Sequence, residues 1–149
     1  MLTEQEVVQG QIITLKSGAE YKTPVYFASD ASFDKSHNGA ACYARIGAIN
    51  LETEESWVNT RECQSTTEAE LWAIYFALSI ACTKKIQDIF IQCDCLSIVL
   101  VLNGSSKNRD ARLVKSLNSI RKLVNKFNSV RLQWVPRSQN RLADQCVRK

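Results

Sequence analysis

Histidine is almost absent from this chain. His37 is the single one in 149 residues, and with no Ser–His–Asp pattern around it little room is left for triad chemistry. None of the six cysteines forms a CxxC pair, so the clustered thiols and imidazoles of a zinc site are also missing. No window of about 18 apolar residues occurs, and no membrane span is expected. The first residues, MLTEQEVVQG, lack the basic start and apolar centre of a secretory signal, which reads as a cytosolic or nuclear protein. Two prolines and five glycines make no linker, and there is no internal repeat or low-complexity tract. Length alone then points to one domain.

Cys42, Cys82 and Cys93 sit inside apolar runs, where a reduced thiol behaves as a small hydrophobe. Free thiols are expected over disulfides. The charge is uneven. Residues 1–104 carry 7 Lys/Arg against 13 Asp/Glu, a net −6, whereas residues 105–149 carry 12 against 2, a net +10. A basic segment of this kind is either a solvated helix face or a footprint for a phosphate backbone.

Residues 1–22 read as an N-terminal extension in which QIITLKSGAEYK forms a short strand or a partly ordered tail; residues 23–149 read as the domain itself. Pro24 to Ser29 predicts a first strand ending on Asp30. SHNGAACYARIG and SWVNTRE predict two more, joined by short links as an antiparallel meander. The period then changes. Leu71, Ile74, Leu78 and Ala81 recur at helical spacing, behind a Ser65–Glu68 capping box. IQDIFIQCD predicts a fourth strand and CLSIVLVLN a short buried helix stopping near Asn103-Gly104. From Arg109, Leu113, Leu117, Ile120, Val124 and Phe127 form one apolar stripe of an amphipathic helix. VRLQWVP predicts a fifth strand, and QNRLADQCVRK starts a last helix. Strand–helix–strand steps require parallel crossovers. The expected fold is α/β: a mixed five-stranded sheet of three antiparallel strands plus parallel strands four and five, with helices on its faces.

Four acids share a placement in that plan. Asp30 and Asp94 end neighbouring parallel strands, Glu70 lies early in the first long helix, and Asp144 opens the last one. Taken singly, each has a plainer role: a turn residue, an N-cap, a first-turn acid or an exposed helix acid. Taken together they form a carboxylate cluster, which cannot ionise cheaply without cations. Hard divalent ions with oxygen ligands meet that need. A pair of such ions can activate water for phosphodiester hydrolysis. Glu68, two residues from Glu70, suits the cap better.

FASDAS, STTEAELWAIYFAL, IFIQCDCLSIV and WVPRSQNRLADQC follow one another as do the motifs of the type 1 ribonuclease H family, which the chain resembles from about Val25 to Cys146. The resemblance implies Asp30, Glu70, Asp94 and Asp144 as the catalytic and metal-binding set, two Mg2+ ions (or Mn2+) as cofactors, and hydrolysis of the RNA strand of an RNA–DNA hybrid. Ser32, Asn38, Ser65, Thr66 and Thr67 are the candidates for the family's substrate contacts, and Arg137 and Asn140 of the last loop are further candidates. The chain departs from the family pattern in that loop, where Arg137 stands and active members often carry a histidine. Another nuclease on the same fold, such as a junction resolvase or exonuclease, stays open. So does a nucleic-acid-binding module with little turnover.

Overall fold

Leu71, Ile74, Leu78 and Ala81 are fully buried, on the inner side of a helix running Thr66–Thr83 (α1). In the computed structural model, which describes residues 12–18, 22–34, 42–103 and 111–148, this helix lies against a six-stranded sheet. The strands are Ile13–Lys16 (β1), Val25–Asp34 (β2), Tyr43–Asn50 (β3), Ser56–Glu62 (β4), Asp88–Cys93 (β5) and Ser129–Trp134 (β6). Their order across the sheet is β1-β6-β5-β2-β3-β4. β2, β3 and β4 form the antiparallel meander, β2 pairs with β5 in parallel, and β5 pairs with β6 in parallel. The sequence predicts five strands. The sixth is β1, which comes from the N-terminal extension and pairs antiparallel with β6, Ile13 opposite Leu132.

β5, DIFIQC, is buried along almost its whole length, as expected of a central parallel strand covered on both faces. On one face, Ala44, Ile46 and Ala73 pack with Trp72 of α1. On the other, Ala28 and Ile49 meet Ala143 of the last helix, Arg141–Val147 (α4). Gly47 makes that second contact close. A Cβ there would stand 2.7 Å from Val147 Cγ1 and 3.3 Å from Cys146 Cβ.

The remaining helices are Leu96–Asn103 (α2) and Val114–Val124 (α3). The predicted basic helix is shorter than its sequence pattern. A single 3-10 turn, Ala111–Leu113, precedes α3, and Arg109 lies outside the described residues. The apolar stripe holds, with Leu113, Leu117, Ile120, Val124 and Phe127 all buried. α1 ends in a left-handed residue, Lys85 at φ 62°. The Lys85 amide donates to Cys82 and the Ile86 amide to Ala81, the Schellman pattern, and the chain turns directly into β5. Cys63, Cys82, Cys93, Cys95 and Cys146 are free thiols. Among the described residues no helix is long and apolar enough to cross a membrane.

Candidate metal centre

The acids lie where the parallel pairing stops. The β2–β5 pairing stops at Ala28 opposite Gln92. Asp30 follows two residues later and Asp94 lies just past the end of β5. Asp30 does not end its strand as predicted. β2 runs on to Asp34, because its antiparallel partner β3 stays paired as far as Tyr43. Asp94 is not the cap of α2 either; that helix begins at Leu96, which puts the cap position at Cys95. The Asp94 backbone is pinned instead, its carbonyl accepting from Trp134 Nε1 at 3.2 Å.

Glu70 comes from the first turns of α1. The helix starts where Ser65 Oγ accepts the Glu68 amide at 3.1 Å. The Glu68 carboxylate turns back to the Gln64 amide (2.7 Å) and to Trp72 Nε1 (3.2 Å). Glu68 is thus occupied by the cap, and Glu70 faces the sheet. Asp30, Glu70 and Asp94 each bring a carboxylate oxygen within 4.8 Å of the others. Asp30 and Glu70 are 4% and 5% exposed.

Burial pushes the Glu70 carboxyl up to about 9, with the charges of Asp30 and Asp94 adding to it. Burial raises Asp30 to about 7, with Asp94 and Asp144 contributing. Asp94 is raised by burial as well, against the opposing effects of Asn140 and Arg137. Glu70 Oε2 is buried with no hydrogen-bond partner among the described residues. An all-oxygen, anionic donor set with an orphaned buried oxygen is compatible with a hard divalent ion.

Asp144 stands beside the trio and is not part of it. Its Oδ2 accepts from Arg148 Nε at 2.7 Å, and Oδ1 lies 3.7 Å from Arg137 Nη2. Asn140, expected to touch substrate, is 1% exposed. Its Nδ2 donates to the Ser29 carbonyl at 3.0 Å, and its Oδ1 accepts from Gln92 at 3.3 Å. The structure therefore places Asn140 behind the acids, tying β2, β5 and α4 together. Ser32, Thr66 and Arg137 are exposed, Ser65 and Thr67 are half-buried, and Asn38 lies outside the described residues. The sequence reading passed over Gln92, Arg45 and Arg148. Gln92 had a usable signal, a polar side chain inside an apolar strand two residues before Asp94.

These features define a ribonuclease H-like fold with an acidic cluster at the carboxyl ends of its parallel strands. The model of the reverse transcriptase-like family matches residues 29–149, and the chain belongs to that ribonuclease H-like family. Among curated proteins none matches the sequence significantly. The fold is similar to ribonuclease H1 from the halophilic archaeon Halobacterium salinarum, with a TM-score of 0.70 at 21% identity over 83% of this chain and 94% of that one. It is similar to LC11 ribonuclease H1 in complex with an RNA/DNA hybrid, with a TM-score of 0.68 at 18% identity, over 83% and 93% of the two chains. The N-terminal ribonuclease H domain of a Mycobacterium tuberculosis protein, solved as a fusion with maltose-binding protein, gives 0.67 at 17% identity, over 83% and 91%.

Proposed function

We propose that this chain is a metal-dependent endonuclease that cuts the RNA strand of RNA–DNA hybrids. The observation that carries the reading is the convergence of Asp30, Glu70 and Asp94 from two strands and a helix, with one buried oxygen unpartnered. The setting supports it, since the family is ribonuclease H-like and one structural neighbour is held in complex with a hybrid. Asp30, Glu70 and Asp94 would hold magnesium or manganese, and Asp144 would complete a second ion's site by giving up its pairing with Arg148. Bound there, the ions supply an activated water and charge neutralisation at the leaving oxygen. Burial of Asp30 and Glu70 keeps bulk water from screening their charge, and Trp134 pins the Asp94 backbone. Ser32 and the Ser65–Thr67 hydroxyls are the candidate contacts to the substrate strands.

A labelled hybrid, a duplex DNA, a four-way junction and a single-stranded RNA, each incubated with magnesium or manganese, test this. Internal cuts in the RNA of the hybrid are the expected result. Cleavage of junction or DNA alone would transfer the site to another nuclease chemistry. Hybrid binding without cleavage would favour a binding module, the reading that the Asp144–Arg148 ion pair supports.

A further inference from the structure

Beyond the carboxylates, β2, β3 and β4 carry a second polar row on the same face of the sheet. Directly opposed residues in antiparallel strands project to one side. Asp30, Gly47 and Val58 form one such row, and Ser32, Arg45 and Thr60 form the next. α4 sits down on the first row at Gly47, against Val147 and Cys146. The second row lies past the end of that helix and opens into a groove of about 480 Å³. Its walls include Ser32, Asp34, Tyr43, Arg45, Thr60 and Arg148. The guanidiniums of Arg45 and Arg148 outweigh the carboxylate of Asp34, and three hydroxyls surround them.

Two details mark this groove as a site for an anion. Arg45 Nε is buried and has no hydrogen-bond partner among the described residues. A buried donor without an acceptor is costly, and an incoming oxyanion would remove that cost. Arg148, at the other wall, bonds Asp144 through Nε at 2.7 Å, so groove and acidic cluster share a boundary. Ser32 is two residues from Asp30 along β2, about 7 Å in an extended strand, which is the scale of one nucleotide repeat.

We propose that Arg45, with Ser32, Thr60 and Arg148 around it, grips a phosphodiester of the cut strand about one nucleotide from the scissile linkage. This rests on the hybrid-nuclease reading above and adds a positioning residue to it. Arginine suits the task because its planar donors fit phosphate oxygens bidentately. The groove then fixes where along the strand the cut falls, since a phosphate held there sets the register of the next one against the carboxylates.

The test is a scan in which a single methylphosphonate, a neutral linkage, is moved stepwise along the RNA strand and then along the DNA strand. Values of kcat/KM are compared for wild type, Arg45→Ala and Arg45→Lys. Wild type should lose roughly tenfold when the neutral linkage falls at one RNA position beside the cut. Arg45→Ala should lose about as much on the unmodified hybrid and nothing more when that linkage is neutral, the non-additivity of groups in contact. Arg45→Lys should recover part of the loss. If Arg45→Ala does not fold, Arg45→Gln, which keeps most of the packed stem, replaces it. Strictly additive losses at every RNA position would overturn the groove and leave the nuclease reading standing. A wild type that cuts no hybrid would overturn both.

Discussion

Glu70 of α1 and Asp30 of β2 bring carboxylate oxygens within 4.8 Å of each other, both side chains buried. Burial, with the charges of Asp30 and Asp94 adding to it, keeps a proton on Glu70 well above the usual carboxylate range. The pair explains how a metal-free chain tolerates its acids, one of them being neutral.

Stability without metal should therefore fall as pH rises. A carboxyl whose folded pKa is raised binds more protons in the folded state than in the unfolded one, so stability declines from just above the unfolded value, near 4.5, up through the folded value near 9. In chelator the melting temperature should drop between pH 5 and pH 9, and the Glu70→Gln variant should show a flatter profile. A wild-type profile rising over that range would contradict the protonated pair.

Asp94→Asn separates a metal ligand from a structural acid. Removing one charge from the cluster relieves repulsion, so the metal-free variant should melt no lower than wild type. Magnesium should raise the wild-type melting temperature with the logarithm of its concentration above the dissociation constant. The variant should lose most of that gain and nearly all hybrid cleavage. Retention of both by the variant would remove Asp94 from the site.

Asn140→Ala should lower stability by about 1–3 kcal/mol, because it removes the side-chain donor to the buried Ser29 carbonyl, while Gln92 keeps its bond to the Gln139 carbonyl. A substrate-contact role alone predicts an unchanged melt and a raised KM. Denaturant unfolding of the metal-free protein distinguishes the two.

Lys85→Gly should stabilise the fold by about 1 kcal/mol, since glycine adopts the left-handed φ of that helix end without the Cβ clash. Thermal melts check it, and hybrid cleavage should be unaffected, because Lys85 is at the opposite end of α1 from Glu70.

Lys115 and Lys122 are exposed, seven residues apart on α3. If that face meets a duplex backbone, neutralising both should flatten the log–log salt dependence of hybrid binding by about 0.9 per lost phosphate contact. An unchanged slope would show a solvated face.

The acids themselves were legible in the sequence because each interrupts an apolar pattern: Asp94 between Ile91 and Ile98, Glu70 beside Leu71. Their convergence follows from topology, since parallel strands end on one side. Three things were hidden. β1 is legible only as a possible short strand, and its place in the sheet comes from pairing with β6, which the sequence does not register. β2 outruns its parallel partner, which hydrophobic pattern alone does not register. Asn140 looks like a loop residue, and its two side-chain partners, Ser29 and Gln92, are distant in sequence. Arg45 was equally silent, because its significance lies in the row it shares with Ser32 and Thr60.

β1 has a consequence for the molecule's solution behaviour. It covers the outer hydrogen-bonding edge of β6, a strand whose Val130 and Leu132 are fully buried. Without those four residues, β6 would present an open row of amides and carbonyls, a template on which another chain can add a strand. The short segment is in this sense a stopper, keeping the sheet from growing by polymerisation at its most apolar margin.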